Sequence, residues 1–181
     1  MHVKSDHRLA RVRSLDSPNC NPRAGSAEIQ LLVIHGISLP PGNFGTGMVA
    51  DLFLNRLDCR ADPALNDLED VRVSAHLLID RRGRITQFVP FSERAWHAGE
   101  STWRGCRDCN SISIGIELEG EDSRPYTRRQ YRCLVKVTRA LLERYPGLSR
   151  DAIVGHLEIA PGRKTDPGPA FDWGGYLSAL W

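Results

Sequence analysis

At 181 residues, with 41% apolar and 25% charged side chains, the chain has the size and composition of one globular domain that buries its own core, and it needs no disulfides or partner to fold. A net charge of +2, with arginines scattered along the chain, excludes the basic tract of a nucleic-acid binder, although a small anion would still be attracted. No apolar run approaches the ~20 residues of a membrane span, the charged first residues do not read as a secretory signal, and five irregularly spaced cysteines make no disulfide framework, so a cytoplasmic monomer without nucleic-acid or membrane contacts is expected.

Residues 1–28 are polar and broken by Pro18 and Pro22; they are expected to form an irregular lead-in to a domain over 29–181. IQLLVIH, residues 29–35, is a continuous apolar run with β-branched residues, the pattern of a buried strand. SLPPGNFGTG, residues 38–47, is turn chemistry. Residues 48–57 suit a short helix, and 58–70, acidic and broken by Pro63, a loop. VRVSAHLLID (71–80) and RITQFVP (84–90), joined at Arg82-Gly83, predict a hairpin. Residues 96–110 are rich in glycine and polar side chains and predict a long surface loop, a kind of segment that often carries function.

SISIGIELEG, residues 111–120, alternates cleanly: Ile112, Ile114, Ile116 and Leu118 share one face, and Ser113, Gly115, Glu117 and Glu119 the other. Thr127 and Gln130 have capping-box spacing, followed by apolar residues at helical intervals until Pro146-Gly147. AIVGH, residues 152–156, reads as a last short strand, and the tail from Phe171 as one or two helical turns. Strands and helices alternate irregularly around one hairpin. That predicts a mixed α/β fold, a central mixed β-sheet flanked by helices in a single domain.

His35 and His156 both fall at the ends of short apolar strands, which could be neighbours with imidazoles in one cleft; strand ends are where α/β sheets bind ligands. Asp166 lies in a segment stiffened by Pro161, Pro167 and Pro169, and such stiffness favours a ligand carboxylate. Two histidines and one aspartate form a three-ligand set with an open fourth position, as in catalytic zinc sites. Iron(II) also accepts this set, but nothing in the chain suggests its co-substrate chemistry.

Glu117 is the candidate general base of a metal-assisted amide hydrolysis, and Lys164 a candidate oxyanion stabiliser. Taken singly, each also has an ordinary reading. His35 could be a satisfied core histidine, Asp166 a turn cap before Pro167, Glu117 a solvent-facing strand residue and Lys164 a surface lysine. Glu119, nearer the strand end, suits the solvent-facing reading better than Glu117. Cys106 and Cys109 form one isolated C-x-x-C, read as unpaired loop thiols. His76 reads as structural, and His97 as a residue of the cleft wall.

VIHGISLPPGNFG, RVSAHLLI, VPFSERAWHAGES, CNSISIGIELEG and HLEIAPGRKTDPGPAFDW, in this order between Ala10 and Trp173, resemble the AmpD-type cytoplasmic amidases of peptidoglycan recycling. The resemblance implies a mixed sheet with helices on its faces, shared with peptidoglycan-recognition proteins. It implies Zn²⁺ held by His35, His156 and Asp166, with Glu117 and Lys164 catalytic. It further implies hydrolysis of the amide between the lactyl group of 1,6-anhydro-N-acetylmuramic acid and L-alanine in a small muropeptide. Arg72, Trp96, His97 and Arg107 are the candidates for holding that substrate. Alternatives are a muropeptide-binding module without activity and an amidase of intact wall peptidoglycan. Two positions depart from the family pattern. Gly36 stands where an asparagine is common, and Asp108 where an arginine is common, with Arg107 one step earlier.

Overall fold

The computed structural model describes residues 1–23 and 28–181. In chain order its strands are β1 (Arg13–Ser14), β2 (Cys20–Pro22), β3 (Leu31–Ile37), β4 (Leu77–Ile79), β5 (Ile85–Gln87), β6 (Glu93–Ala95), β7 (Ser113–Glu119) and β8 (Ile153–Gly155). The α-helices are α1 (Met48–Phe53), α2 (Cys109–Ile112), α3 (Arg128–Arg144), α4 (His156–Ile159) and α5 (Trp173–Ser178). Short 3₁₀ segments occupy Cys59–Ala61, Pro63–Leu68 and Arg150–Ala152.

Six strands form one sheet in the order β1-β5-β4-β7-β3-β8. β4, β7, β3 and β8 are mutually parallel, and β5 runs antiparallel to β4 through the expected hairpin, so the sheet is mixed. β2 and β6 make a separate antiparallel pair. The lead-in is therefore not wholly irregular: β1 extends the sheet edge against β5, and β2 holds β6. Strands of two or three residues carry no readable periodicity, so the sequence pattern could not show them. Likewise only Leu77–Ile79 of the expected 71–80 strand enters the sheet.

β3 and β7 sit in the middle and are buried on both faces. Leu32 and Ile34 of β3, with Ile114, Ile116 and Leu118 of β7, pack against Leu134, Val137 and Leu141 of α3 and Tyr176 of α5. α3 starts where expected, because the Thr127 side chain accepts from Gln130 N and the Gln130 side chain accepts from Thr127 N. On the opposite face Leu31 and Val33 pack with Ala98, Cys109, Val154 and Ile159. The register of β3 and β7 aligns His35 with Glu117. Because strand side chains alternate, both point to the face away from α3.

Glu119 corrects an expectation. It is 7% exposed, not solvent-facing. Its carboxylate accepts from Gly45 N and Arg81 N and so ties two loops to the end of β7. Glu119→Ala leaves two backbone donors without that acceptor, so it should destabilise the protein by about 1–3 kcal/mol. A urea midpoint shift at unchanged m-value would report it.

Candidate active site

β3 delivers His35 as the fifth residue of a fully buried run, and the parallel neighbour β8 ends at Gly155. His156 does not end the strand, as the sequence pattern suggested; it is the first residue of α4. Glu158 explains the change. Its carboxylate accepts from Gly155 N and closes the first turn. The segment after α4 then returns to the sheet, where Leu157 N donates to the Asp166 carbonyl and Lys164 N to the Ala160 carbonyl, both at or near 3.0 Å.

The two imidazoles and the carboxylate thus meet. His35 Nδ1 lies 3.0 Å from His156 Nδ1, and each Nδ1 lies 3.2 Å from Asp166 Oδ2. The three side chains can hold one metal ion. The remaining nitrogens point away from the cluster: His156 Nε2 donates to the Ala98 carbonyl, and His35 Nε2 lies 2.9 Å from His97 Nδ1. Metal ligation through Nδ1 requires both protons on Nε2, so that His35 Nε2 donates to His97 and both Nδ1 lone pairs point into the cluster. Burial holds the His35 imidazole down to a pKa of about 4, against a smaller upward pull from Asp166. It is neutral at pH 7, as a ligand must be. Burial would raise the Asp166 carboxyl, but His156 and His35 beside it outweigh that and hold the group well below the usual carboxylate range.

Beside this cluster lies a cavity of about 230 Å³. His97, Glu117, His156, Lys164 and Asp166 form its polar wall, and Ile37, Leu52, Phe53, Leu68, Val71 and Val73 its apolar wall. Glu117 is 8% exposed, and its Oε2 is buried without a hydrogen-bond partner among the described residues. Burial, and then the charge of Asp166, raise its pKa well above the ordinary value, with Lys164 opposing them. A carboxyl in that condition, lining a cavity beside three groups that could hold a metal ion, is a candidate for proton transfer. A larger cavity of about 480 Å³ borders His7, Arg23 and Tyr145. It brings together no such ligand set, and the Arg23 guanidinium in its wall is engaged by the carbonyls of Asn110, Ser111 and Ser113.

Comparison with known proteins agrees with this geometry. Residues 25–169 match the family described as N-acetylmuramoyl-L-alanine amidase. The chain belongs to that amidase family. It is 48% identical over 172 residues, 95% of this chain and 94% of the relative, to the 1,6-anhydro-N-acetylmuramyl-L-alanine amidase AmpD of Haemophilus influenzae. A crystal structure of a selenomethionine AmpD derivative superposes with a TM-score of 0.95 at 48% identity, covering 99% of both chains. The Escherichia coli amidase AmiD, in complex with anhydro-N-acetylmuramic acid-L-Ala-D-γ-Glu-L-Lys, gives a TM-score of 0.62 at 32% identity, over 91% of this chain and 60% of that one.

Of the residues expected to hold substrate in this amidase, only His97 borders the cavity. The Arg72 guanidinium is turned to the carbonyls of Glu69 and Val71, while its neighbours Val71 and Val73 face the cavity. Trp96 donates its Nε1 proton to Asn21 Oδ1 at 2.6 Å, and Arg107 is exposed and off the cavity wall. Asp108 is held by Arg94 at 2.9 and 3.0 Å and by the Ser111 hydroxyl, so its charge is already compensated within the protein. Gly36 is explained by packing: a Cβ there would collide with the Tyr126 hydroxyl, which donates to the Pro167 carbonyl just after Asp166. The apolar wall was missed by sequence reasoning. Its residues were read instead as parts of local elements, Leu52 and Phe53 in the 48–57 helix and Val71 and Val73 in the 71–80 strand.

Proposed function

We propose that this chain is a zinc-dependent amidase that cleaves the bond between the lactyl group of 1,6-anhydro-N-acetylmuramic acid and L-alanine in free muropeptides. The observation that carries this reading is the cluster of His35, His156 and Asp166 beside a cavity whose wall also holds Glu117 and Lys164. The substrate class is supported by the specificity in the name of the H. influenzae relative and by the anhydromuramyl peptide bound to AmiD. The donor set suits zinc: two imidazole nitrogens and a carboxylate oxygen, 3.0–3.2 Å apart. Tetrahedral ligation at zinc–ligand distances of about 2.0–2.1 Å calls for a spacing of about 3.3 Å.

When bound there, zinc supplies Lewis acidity, polarising the scissile carbonyl and lowering the pKa of water it contacts from about 15.7 to about 7. The residues of the chain do the rest. The Glu117 carboxylate takes a proton from the attacking water as the new C–O bond forms. The Lys164 ammonium faces the oxygen on which negative charge develops, a contribution of roughly 3–4 kcal/mol to the barrier. Glu117 then returns the proton to the alanine nitrogen as the C–N bond breaks, leaving a lactyl carboxylic acid and a free peptide amine. Ile37, Leu52, Phe53 and Val73 offer an apolar surface to the carbon skeleton of the substrate.

The five cysteines are all free thiols, which suits a reducing cytoplasm and supports a role in recycling wall fragments there. No described helix is long and apolar enough to cross a membrane.

Zinc-loaded protein given an anhydromuramyl tripeptide should release a peptide with a free alanine amine, and should act far more slowly on intact sacculi. Tight binding without cleavage would make the chain a binding module instead. Faster cleavage of sacculi would make it a wall amidase.

A further inference from the structure

We propose that the dipeptide His97-Ala98, clamped by Asn110, is a positioning element that sets the proton placement and the aim of both histidines of the metal site; this rests on the metal-site reading above. The argument begins with the two Nε2 atoms. His35 and His156 come from different elements, yet their outward nitrogens are received by consecutive residues. His35 Nε2 meets His97 Nδ1 at 2.9 Å, and His156 Nε2 meets the Ala98 carbonyl at 3.0 Å. A ligand imidazole whose second nitrogen is held this way keeps one tautomer and one ring orientation.

One amide oxygen fixes the receiving segment. Asn110 is 5% exposed, and its Oδ1 accepts from His97 N at 3.0 Å and from Ala98 N at 2.8 Å. The His97 ring is fixed in turn. With Nδ1 accepting from His35, its proton sits on Nε2 and is donated to Ser113 Oγ at 3.0 Å. Both ring nitrogens are therefore engaged inside the protein. This revises the expected substrate contact: His97 acts through His35.

A second, independent observation points the same way. Gly115 lies in the middle of β7, between strands on both sides, where a glycine weakens a sheet and marks a close approach. The approaching group is the His97 ring, and any Cβ at 115 would collide with it. The central strand thus carries a cradle for this ring. The hydrogen-bond chain Ser113–His97–His35 runs from the first residue of β7 to the metal site.

The test uses the full chain and zinc itself. Zinc dissociation constants are measured by competition with a chromophoric chelator for wild type, His97→Leu, His97→Asn and Asn110→Ala. Leucine fills the space without an acceptor, whereas asparagine places its amide oxygen near the former Nδ1. His97→Leu should weaken zinc binding by about 10–100-fold, His97→Asn should recover most of the loss, and Asn110→Ala, which touches neither ligand, should weaken binding by about tenfold. Nitrogen NMR of the zinc-free protein should show His35 as the Nε2–H tautomer in wild type and as a mixture in His97→Leu. Zinc affinity within about twofold of wild type in His97→Leu, or an unchanged His35 tautomer, overturns the proposal. Failure of wild type to bind zinc would overturn the metal reading instead, and the tautomer measurement still decides the clamp.

Discussion

Glu117→Gln should fold, bind zinc and lose about 10²–10⁴-fold in kcat, the range of a positioned general base. Glutamine keeps the shape of the side chain and can still orient water, but it cannot take the proton. A turnover assay beside a metal-content measurement separates this outcome from collapse of the site. Activity within about tenfold of wild type would remove Glu117 from proton transfer.

Without metal the same variant should be the more stable one at high pH. Burial raises the Glu117 pKa well above its ordinary value, so the folded state holds this proton more tightly than the unfolded chain does. By linkage, the stability associated with that proton is complete below the unfolded value and is lost as pH rises through the folded one. Above that folded value the zinc-free protein buries a carboxylate whose Oε2 has no partner among the described residues. Glutamine removes that charge, and a gain of about 1 kcal/mol would raise Tm by about 2–4 °C in a chain of this size. His35 and His76 act oppositely. Burial lowers them to about 4 and about 3, so their share of stability is present above pH 6.5 and is lost on acidification toward those values. Thermal melts of zinc-free wild type should therefore show stability falling on both sides, with the alkaline fall absent in Glu117→Gln.

Much of this arrangement was legible in the chain, for identifiable reasons. β3 and β7 announce themselves because long central strands need apolar side chains, and α3 because its capping box and apolar spacing agree. His35, Glu117 and Asp166 each had an ordinary reading taken singly, and it was the set of two histidines and one aspartate able to meet in one cleft that marked the site. The roles of Arg72, Trp96 and Arg107 were harder to place, since a surface arginine or tryptophan has many local partners and the pattern does not choose among them. Arg72 turns to carbonyls one and three residues away, and Trp96 to Asn21 on another strand. Nor could alternation separate a solvated polar face from one covered by loops. That is why Glu119 read as exposed although Gly45 and Arg81 close over it.

Removal of zinc should abolish turnover, by about 10³-fold or more, and readdition should restore it, because neither a neutral water nor an unpolarised amide reacts at a useful rate without it. The metal should also be a large term in stability. At a free concentration 1,000 times its dissociation constant, a ligand that binds only the folded state adds about 4.1 kcal/mol. For a chain of this length that is a rise in Tm of roughly 8–16 °C. His156→Ala should lose both effects together, since it removes one of three ligands that lie 3.0–3.2 Å apart and leaves an incomplete set. Glu117→Gln should retain the full thermal shift with zinc while losing turnover. Calorimetry with and without zinc, on wild type and both variants, thus distinguishes the group that holds the metal from the group that moves the proton. Equal thermal shifts in wild type and His156→Ala would mean that the ion binds elsewhere and that the cluster at the end of β3 is not the centre of the reaction.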